Sequence, residues 1–285
     1  MNVQIIADSG CDLPLEYYNE NSVSFIPLHV QLKENEYEDL IEIQPKTVFD
    51  AMREGEVAKT SQASPNHFKE LFTRFAEKNI PCVYIAFSSR LSGTYQTAVM
   101  IKNEVLEQYP NFQIAIIDSK CASLGHGLAV KHAVKLAAEG KTVTELEETL
   151  ASYCTKVEHL FTVDNLDYLA RGGRISKASA FVGGLLSIKP LLHVEDGQLV
   201  PLEKIRGRKK LFRRIIELMK ERGEALDKQT IAISHGDDEE AALEIKKMIE
   251  DEFSPKEIIV NMIGATIGAH SGPGTIAIFF LNNEA

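Results

Sequence analysis

The chain has no tryptophan and only four cysteines in 285 residues. Cys11, Cys82, Cys121 and Cys154 are scattered, with no C-x-x-C pair, which argues against a zinc site and leaves no disulfide framework. Buried free thiols are the expected state. Long hydrophobic runs are missing too, the longest falling far short of the ~20 residues that a membrane span needs. The opening MNVQIIADSG lacks a basic region and a long apolar segment, so no secretory signal is expected and a cytoplasmic setting follows. Basic charge is in deficit: 31 Lys and Arg against 41 Asp and Glu give a formal net charge of −10. A nucleic-acid partner needs the opposite balance. No G-x-x-x-x-G-K-S/T loop is present and no G-x-G-x-x-G follows the first strand, which removes P-loop ATP binding and the usual dinucleotide fold. No stretch has metal-ligand spacing.

What is there is ordinary core material, 44% hydrophobic residues, in a length that suits two domains or one large one. The first half alternates apolar strands (Val3–Asp8, Cys82–Phe87, Phe112–Asp118) with helical patterns (Ser64–Asn79, Ser92–Gln108, Ser123–Glu139). In the first of these helices Phe68, Leu71, Phe72 and Phe75 fall on one face, with Ser64 as N-cap and Pro65 at the first helical position. This spacing predicts a parallel sheet with helices on its faces. After a helix over Thr142–Cys154 the pattern changes. LLHVEDGQLVPLEKI (Leu191–Ile205) reads as a hairpin turning at Asp196-Gly197. A helix follows, with an apolar stripe of Leu211, Phe212, Ile215, Ile216 and Met219 and with Lys210, Arg213 and Arg214 facing outwards. Strands Thr230–Gly236, Glu257–Ile263 and Thr275–Leu281 and a helix over Asp237–Glu252 complete it. The expected architecture is α/β with two domains: residues 1–156 with a parallel sheet, and residues 157–285 as an α+β domain with a mixed or antiparallel sheet.

Ligands of parallel sheets bind beyond the carboxyl ends of the strands, where Asp8-Ser9, Asp118-Ser119 and the hydroxyl-rich SSRLSGTY (Ser88–Tyr95) lie. Ser92 is placed to cap the following helix, and Gly93 to let a ligand approach the backbone. Capping and anion binding are compatible, because a capping hydroxyl accepts from an N–H and keeps its own proton to donate. AKTSQASP sets Thr60, Ser61 and Ser64 just ahead of another helix, as loop filler and cap or as an anion site. GAHSGPG holds His270 among glycines before a strand, read as a turn whose His is exposed, donates to an anion or shuttles a proton. LARGGRIS places Arg171 and Arg174 around two glycines, with Ser176 as a cap: a solvated turn or a guanidinium fork. KIRGRKKLFRR (Lys204–Arg214) carries seven basic residues and no acid, a solvated face or a field that steers a partner.

TSQAS, SSRLSGTY, YLARGGRIS and HSGPGT, in that order with D-S near the start, strongly resemble the DegV family of bacterial fatty-acid-binding proteins, the acyl-binding (FakB-type) subunits of fatty acid kinase. The resemblance covers essentially the whole chain. It departs at Ala63, where the family often has Pro, which affects loop stiffness more than donor chemistry, and at Gly10-Cys11, where the family often has Thr-Ala. It implies a long-chain fatty acid between two domains and no cofactor. Thr60 and Ser92 would bind its carboxylate with His270 close by; Ser61 and Gly93 beside them complete the expected site. It also implies a separate kinase subunit that carries ATP and phosphorylates the presented carboxylate. Arg171, Arg174 and the basic stretch around Arg206 would then meet that subunit or the phosphate, and transient membrane contact fits the cargo. The Gly pair of FVGGLLSI (Phe181–Ile188) makes room for a lipid tunnel or for close helix packing. Two other readings stand beside this one. A lipid-ester hydrolase would use Ser92 and His270, although Arg90 stands where a G-x-S-x-G elbow needs Gly. A phosphate- or nucleotide-binding regulator would use helix N-termini and Arg171.

Overall fold

The computed structural model describes residues 3–175 and 188–282. Ser176 and all of the FVGGLLSI stretch except Ile188 lie outside the described residues. In chain order the first half contains β1 (Gln4–Asp8), α1 (Leu15–Glu20), β2 (Ser24–Ile26), β3 (His29–Leu32), β4 (Asn35–Glu38), α2 (Pro45–Arg53), β5 (Ala58–Ser61), α3 (Pro65–Glu77), β6 (Cys82–Ala86), α4 (Thr94–Gln108), β7 (Ile114–Asp118), α5 (Ser123–Ala138) and α6 (Val143–Thr155). The second half contains β8 (Val157–Thr162), α7 (Asp167–Arg171), β9 (Ile188–Glu195), β10 (Gln198–Arg206), α8 (Arg208–Arg222), β11 (Thr230–His235), α9 (Glu239–Phe253), β12 (Glu257–Met262), α10 (Ala265–Ser271) and β13 (Ile276–Leu281).

The expected parallel sheet has the order β2-β1-β6-β7. Its central strand is apolar on both faces, as a covered parallel strand must be. Cys82, Tyr84 and Ala86 of β6 pack with Phe68, Phe72, Ala98 and Ile101 of α3 and α4. Val83 and Ile85 belong to the cluster that holds Leu128, Leu146 and Leu150 of α5 and α6. The second sheet has the order β10-β9-β8-β13-β11-β12 and is mixed: its pairs are antiparallel except β11 with β12. Along β13, Ile276, Ile278 and Phe280 pack with Phe212, Ile215 and Ile245 of α8 and α9, and Ala277 and Phe279 join the α5 cluster. Helix α5 touches strands of both sheets. That explains why it is buried almost all round and only weakly amphipathic.

A third sheet, β4-β3-β5, packs on α2 and α10 through Val30, Val48, Met52, Ala58 and Ala269, and was not anticipated. NEYE and AKTS have no strand-like alternation of their own, so pairing with β3 and packing decide them. Local signals served better elsewhere. Ser64 accepts the Asn66 N–H at the start of α3, with Pro65 at the first position. The β9–β10 turn has Asp196 at φ 46° and Gly197 at φ 78°, the left-handed pair that a two-residue hairpin requires. The four thiols are free and buried.

The strand-end acids hold loops. Asp8 is buried and accepts from the Tyr84 hydroxyl at 2.6 Å, the Phe87 N–H at 2.9 Å and the Gly10 N–H at 3.0 Å. Asp118 accepts from the Ser89 N–H at 3.0 Å and its hydroxyl at 2.6 Å. Both therefore shape the turn that leads into Ser92. Tyr84→Phe removes one donor from a fully buried carboxylate, and the expected cost is about 1–3 kcal/mol. Urea unfolding at neutral pH measures it; an unchanged midpoint would show that this bond contributes nothing.

Candidate functional site

Three segments far apart in the chain meet at one end of a cavity. The first is β5. Alternate residues of a strand share a face, so Thr60 lies on the side of Ala58, which packs in the core that also holds Ala269 of α10. Thr60 therefore meets that helix, and its Oγ1 lies 2.7 Å from His270 Nε2. Two expectations change here: Thr60 and Ser61 sit on a strand, not in a loop, and His270 belongs to the last turn of α10, not to a turn between glycines. Ser61 points away from that core and donates to Glu36 Oε1 at 2.9 Å, yet it still lines the cavity.

Helix α10 is short and its start is held from outside. The Ala265 and Thr266 N–H groups donate to the two oxygens of Asp39, each at 3.2 Å. Asp39 is fully buried, and burial pushes its carboxyl upward while the hydrogen bonds it accepts oppose the shift. Sequence reading missed this residue. No local pattern marks a cap that lies 226 residues away.

The third segment is the turn after β6. Ser92 is not the N-cap of α4: the helix begins at Thr94, with Gly93 in the cap position. Ser92 Oγ still accepts the Thr94 N–H at 3.3 Å and pairs with Thr94 Oγ1 at 2.9 Å. Thr94 Oγ1 itself accepts from the Ala63 N–H at 3.3 Å. When Thr94 passes its proton to Ser92, the Ser92 proton is free to point into the cavity. Gly93 lines the cavity, but the space a side chain would fill there is taken by Gln62 Oε1. The glycine thus admits Gln62, whose amide donates to Thr97 Oγ1 at 2.8 Å.

The space not filled by atoms in and around the cavity comes to about 1040 Å³, open solvent included. Its polar end carries Thr60, Ser61, Gln62, Ser92 and His270, and the rest is mostly apolar, with Phe87, Leu91, Phe161, Leu169, Leu199 and Ile267 among its walls. Arg174 reaches the polar end. Among the described residues its guanidinium donates to two carbonyls, Leu91 O at 3.0 Å and Gly172 O at 2.5 Å, and burial lowers its pKa. Burial, and secondarily the charge of Arg174, push His270 down to about 4, so its ring is neutral at pH 7. The Nε2–H tautomer then donates to Thr60 and frees the Thr60 proton for a ligand.

Thr60, Arg174 and His270 also line a second, outer cavity, with Lys59, Tyr168 and Arg171 on its walls. The Arg171 guanidinium stands 5.1 Å over the Tyr168 ring. Arg206, at the end of β10, lines neither cavity. The basic run is partly neutralised: Arg208 pairs with Asp238, and Arg214, expected to face solvent, pairs with Glu203, Glu217 and Glu221. Among the described residues Ser92 has no hydrogen bond to His270 and no carboxylate bonds that histidine, so they assemble no Ser-His-acid relay. Among the described residues no cluster of His, Cys, Asp and Glu has the geometry to hold a metal ion, and no helix is long and apolar enough to cross a membrane.

A family model described as "Uncharacterised protein, DegV family" matches residues 2–283. A DegV domain-containing protein of Clostridium perfringens is 39% identical over 282 residues, covering 98% of this chain and 97% of its own. Of solved structures, one describing fatty acid binding of a DegV family protein from Thermus thermophilus shares 31% identity at a TM-score of 0.88, covering 99% of this chain and 100% of that one. A stearic acid-binding protein from Eubacterium ventriosum shares 28% identity at a TM-score of 0.89, covering 98% of each chain.

Because the His270 pKa falls from 6.5 to about 4 on folding, the unfolded chain binds the extra proton first as pH drops. The contribution is fully present above pH ~6.5 and is lost progressively as pH falls towards about 4. Asp12 and Asp39, which burial pushes up, act in the opposite sense. The effect is therefore read as a difference: between neutral pH and pH ~4.5, His270→Gln should lose less stability than the wild type in denaturant titrations. Equal losses would mean that His270 titrates normally.

Proposed function

The chain belongs to the DegV family, and we propose that it binds one long-chain fatty acid and presents the carboxylate to a separate ATP-dependent kinase subunit, which forms the acyl phosphate. The observation that carries this reading is a pair of neutral hydroxyls, Thr60 and Ser92, lining one mostly apolar cavity, with His270 hydrogen-bonded to Thr60. Relatives of the same fold described as fatty-acid-binding support the ligand class. In this reading the tail dominates affinity. At ~0.8 kcal/mol per methylene, roughly 15 methylenes contribute about 12 kcal/mol gross, of which several are lost with translational and side-chain freedom. The head group fixes orientation. Each hydrogen bond to a carboxylate adds about 1.5–3 kcal/mol, and neutral donors leave its oxygen nucleophilic.

Thr60, Ser61, Ser92, Gly93 and His270 are assigned to the carboxylate. The outer cavity, with Arg171 and Arg174, is assigned to the incoming phosphoryl group or the kinase, and Arg206 with its neighbours to kinase docking. The lipid then lies between a domain of residues 1–156 and one of residues 157–285, the protein works in the cytoplasm, and it has no catalytic turnover alone.

Native mass spectrometry of protein purified without added lipid should show a mass increment matching a long-chain acid; a nucleotide increment instead would overturn the carrier reading. Thr60→Ala with Ser92→Ala should weaken fatty-acid binding roughly ten-fold or more, from the loss of charge-assisted bonds, with the fold intact. Unchanged affinity would remove the carboxylate assignment. Reversing the charge of Arg206, Arg208 and Lys209 should slow phosphorylation by the kinase while lipid binding stays normal; if both stay normal, the basic run is only a solvated surface.

A further inference from the structure

The cavity has a direction that strand geometry defines. Thr275, Ala277 and Phe279 all line it, so one face of β13 forms a wall. Thr275 Oγ1 bonds Ser271 O at 3.0 Å and Gly272 O at 2.9 Å, beside His270. From there the row continues along the strand at about 3.3 Å per residue, which sets Phe279 roughly 13 Å from Thr275. β8 runs antiparallel alongside, pairing Phe161 with Ala277 and His159 with Phe279. His159 and Phe279 thus stand together, about 13 Å along the strand direction from Thr275, and both line the cavity.

Nothing in the carrier reading uses His159, and its surroundings hold it still. Its Nε2 accepts the Ala122 N–H at 3.2 Å, which leaves Nδ1 to donate to Val157 O at 3.0 Å. With both ring nitrogens occupied it has no free valence for acid–base work. The ring meets Phe279 edge-on, centroids 5.1 Å apart at 86°. Behind the pair lies the backbone of α5. A side chain at position 125 would collide with His159 Nε2 and lie 2.8 Å from Phe279 Cδ1, so Gly125 lets the helix press directly on both rings. They have no room to retreat.

We infer that His159 and Phe279, backed by Gly125, form a rigid end wall that limits the length of acyl chain the cavity accepts. The inference rests on the fatty-acid reading and adds its specificity element. A wall of this kind discriminates sharply, because one methylene too many in a fixed apolar pocket changes binding by about 10–200-fold.

The test loads wild type and variants from an equimolar mixture of saturated acids from lauric to arachidic and reads the bound masses by native mass spectrometry. His159→Ala and, less strongly, Phe279→Leu should shift the bound population to heavier acids, each added methylene changing the ratio of longer to shorter acid about ten-fold or more. Gly125→Ala should shift it to lighter ones. Should His159→Ala fail to fold in a thermal melt, Phe279→Leu decides alone. Variants that load lipid with the wild-type length profile overturn the end wall and leave the carrier reading standing. A wild-type protein that takes up no acid of any length overturns both.

Discussion

The bond between Thr60 and His270 joins β5, an edge strand of the small sheet, to α10, which leads into the last strand of the large one. Its 2.7 Å length depends on Ala58 and Ala269 packing in one core and on Asp39 holding the first N–H groups of α10. Loss of any of these would free the histidine to find another partner and would turn the Thr60 hydroxyl elsewhere. The polar end of the cavity is a consequence of that packing more than of any local motif.

Acids recur where loops must be shaped: Asp8, Asp12 and Asp39 are buried and Asp118 is half-buried. Asp8 and Asp118 fix the turn after β6, Asp39 fixes α10, and Asp12 takes the Ser123 hydroxyl at the start of α5. A buried carboxylate without donors is expensive, so each one forces the N–H and O–H groups around it into a single arrangement. Burial that would be unfavourable for the isolated acid thereby becomes positional accuracy in the loops. The cavity's own donors are treated differently. Ser92 and Thr60 are bonded to Thr94 and His270, and each keeps a proton for a ligand when its partner is the donor; burial keeps His270 neutral. The hydroxyls and the neutral His270 carry no charge themselves; the positive charge beside them is that of Arg174.

The division of the cavity lining into polar and apolar parts follows from the same economy of groups. Thr60, Ser61 and Ser92 bring hydroxyls to one part of the lining, Ser123, Thr266, Ser271 and Thr275 bring others along the wall, and apolar side chains supply most of the rest. Arg174 lines both cavities and, among the described residues, bonds carbonyls and no acid. It is a positive charge close to Thr60 and His270.

Much of this was legible in the chain. The apolar runs Val3–Asp8 and Cys82–Phe87 and the face formed by Phe68, Leu71, Phe72 and Phe75 determined the parallel sheet and its covering helices. The Asp196-Gly197 pair determined the hairpin, and the hydroxyl clusters marked where chemistry would sit, because these features act between near neighbours. Only the tertiary structure decided that AKTS is a strand, that His270 ends a helix, that Asp39 caps that helix, and that Gly93 makes way for Gln62. Each of those depends on a partner tens or hundreds of residues away. The free energy of pairing an edge strand or satisfying a distant N–H does not exist until the chain has closed on itself.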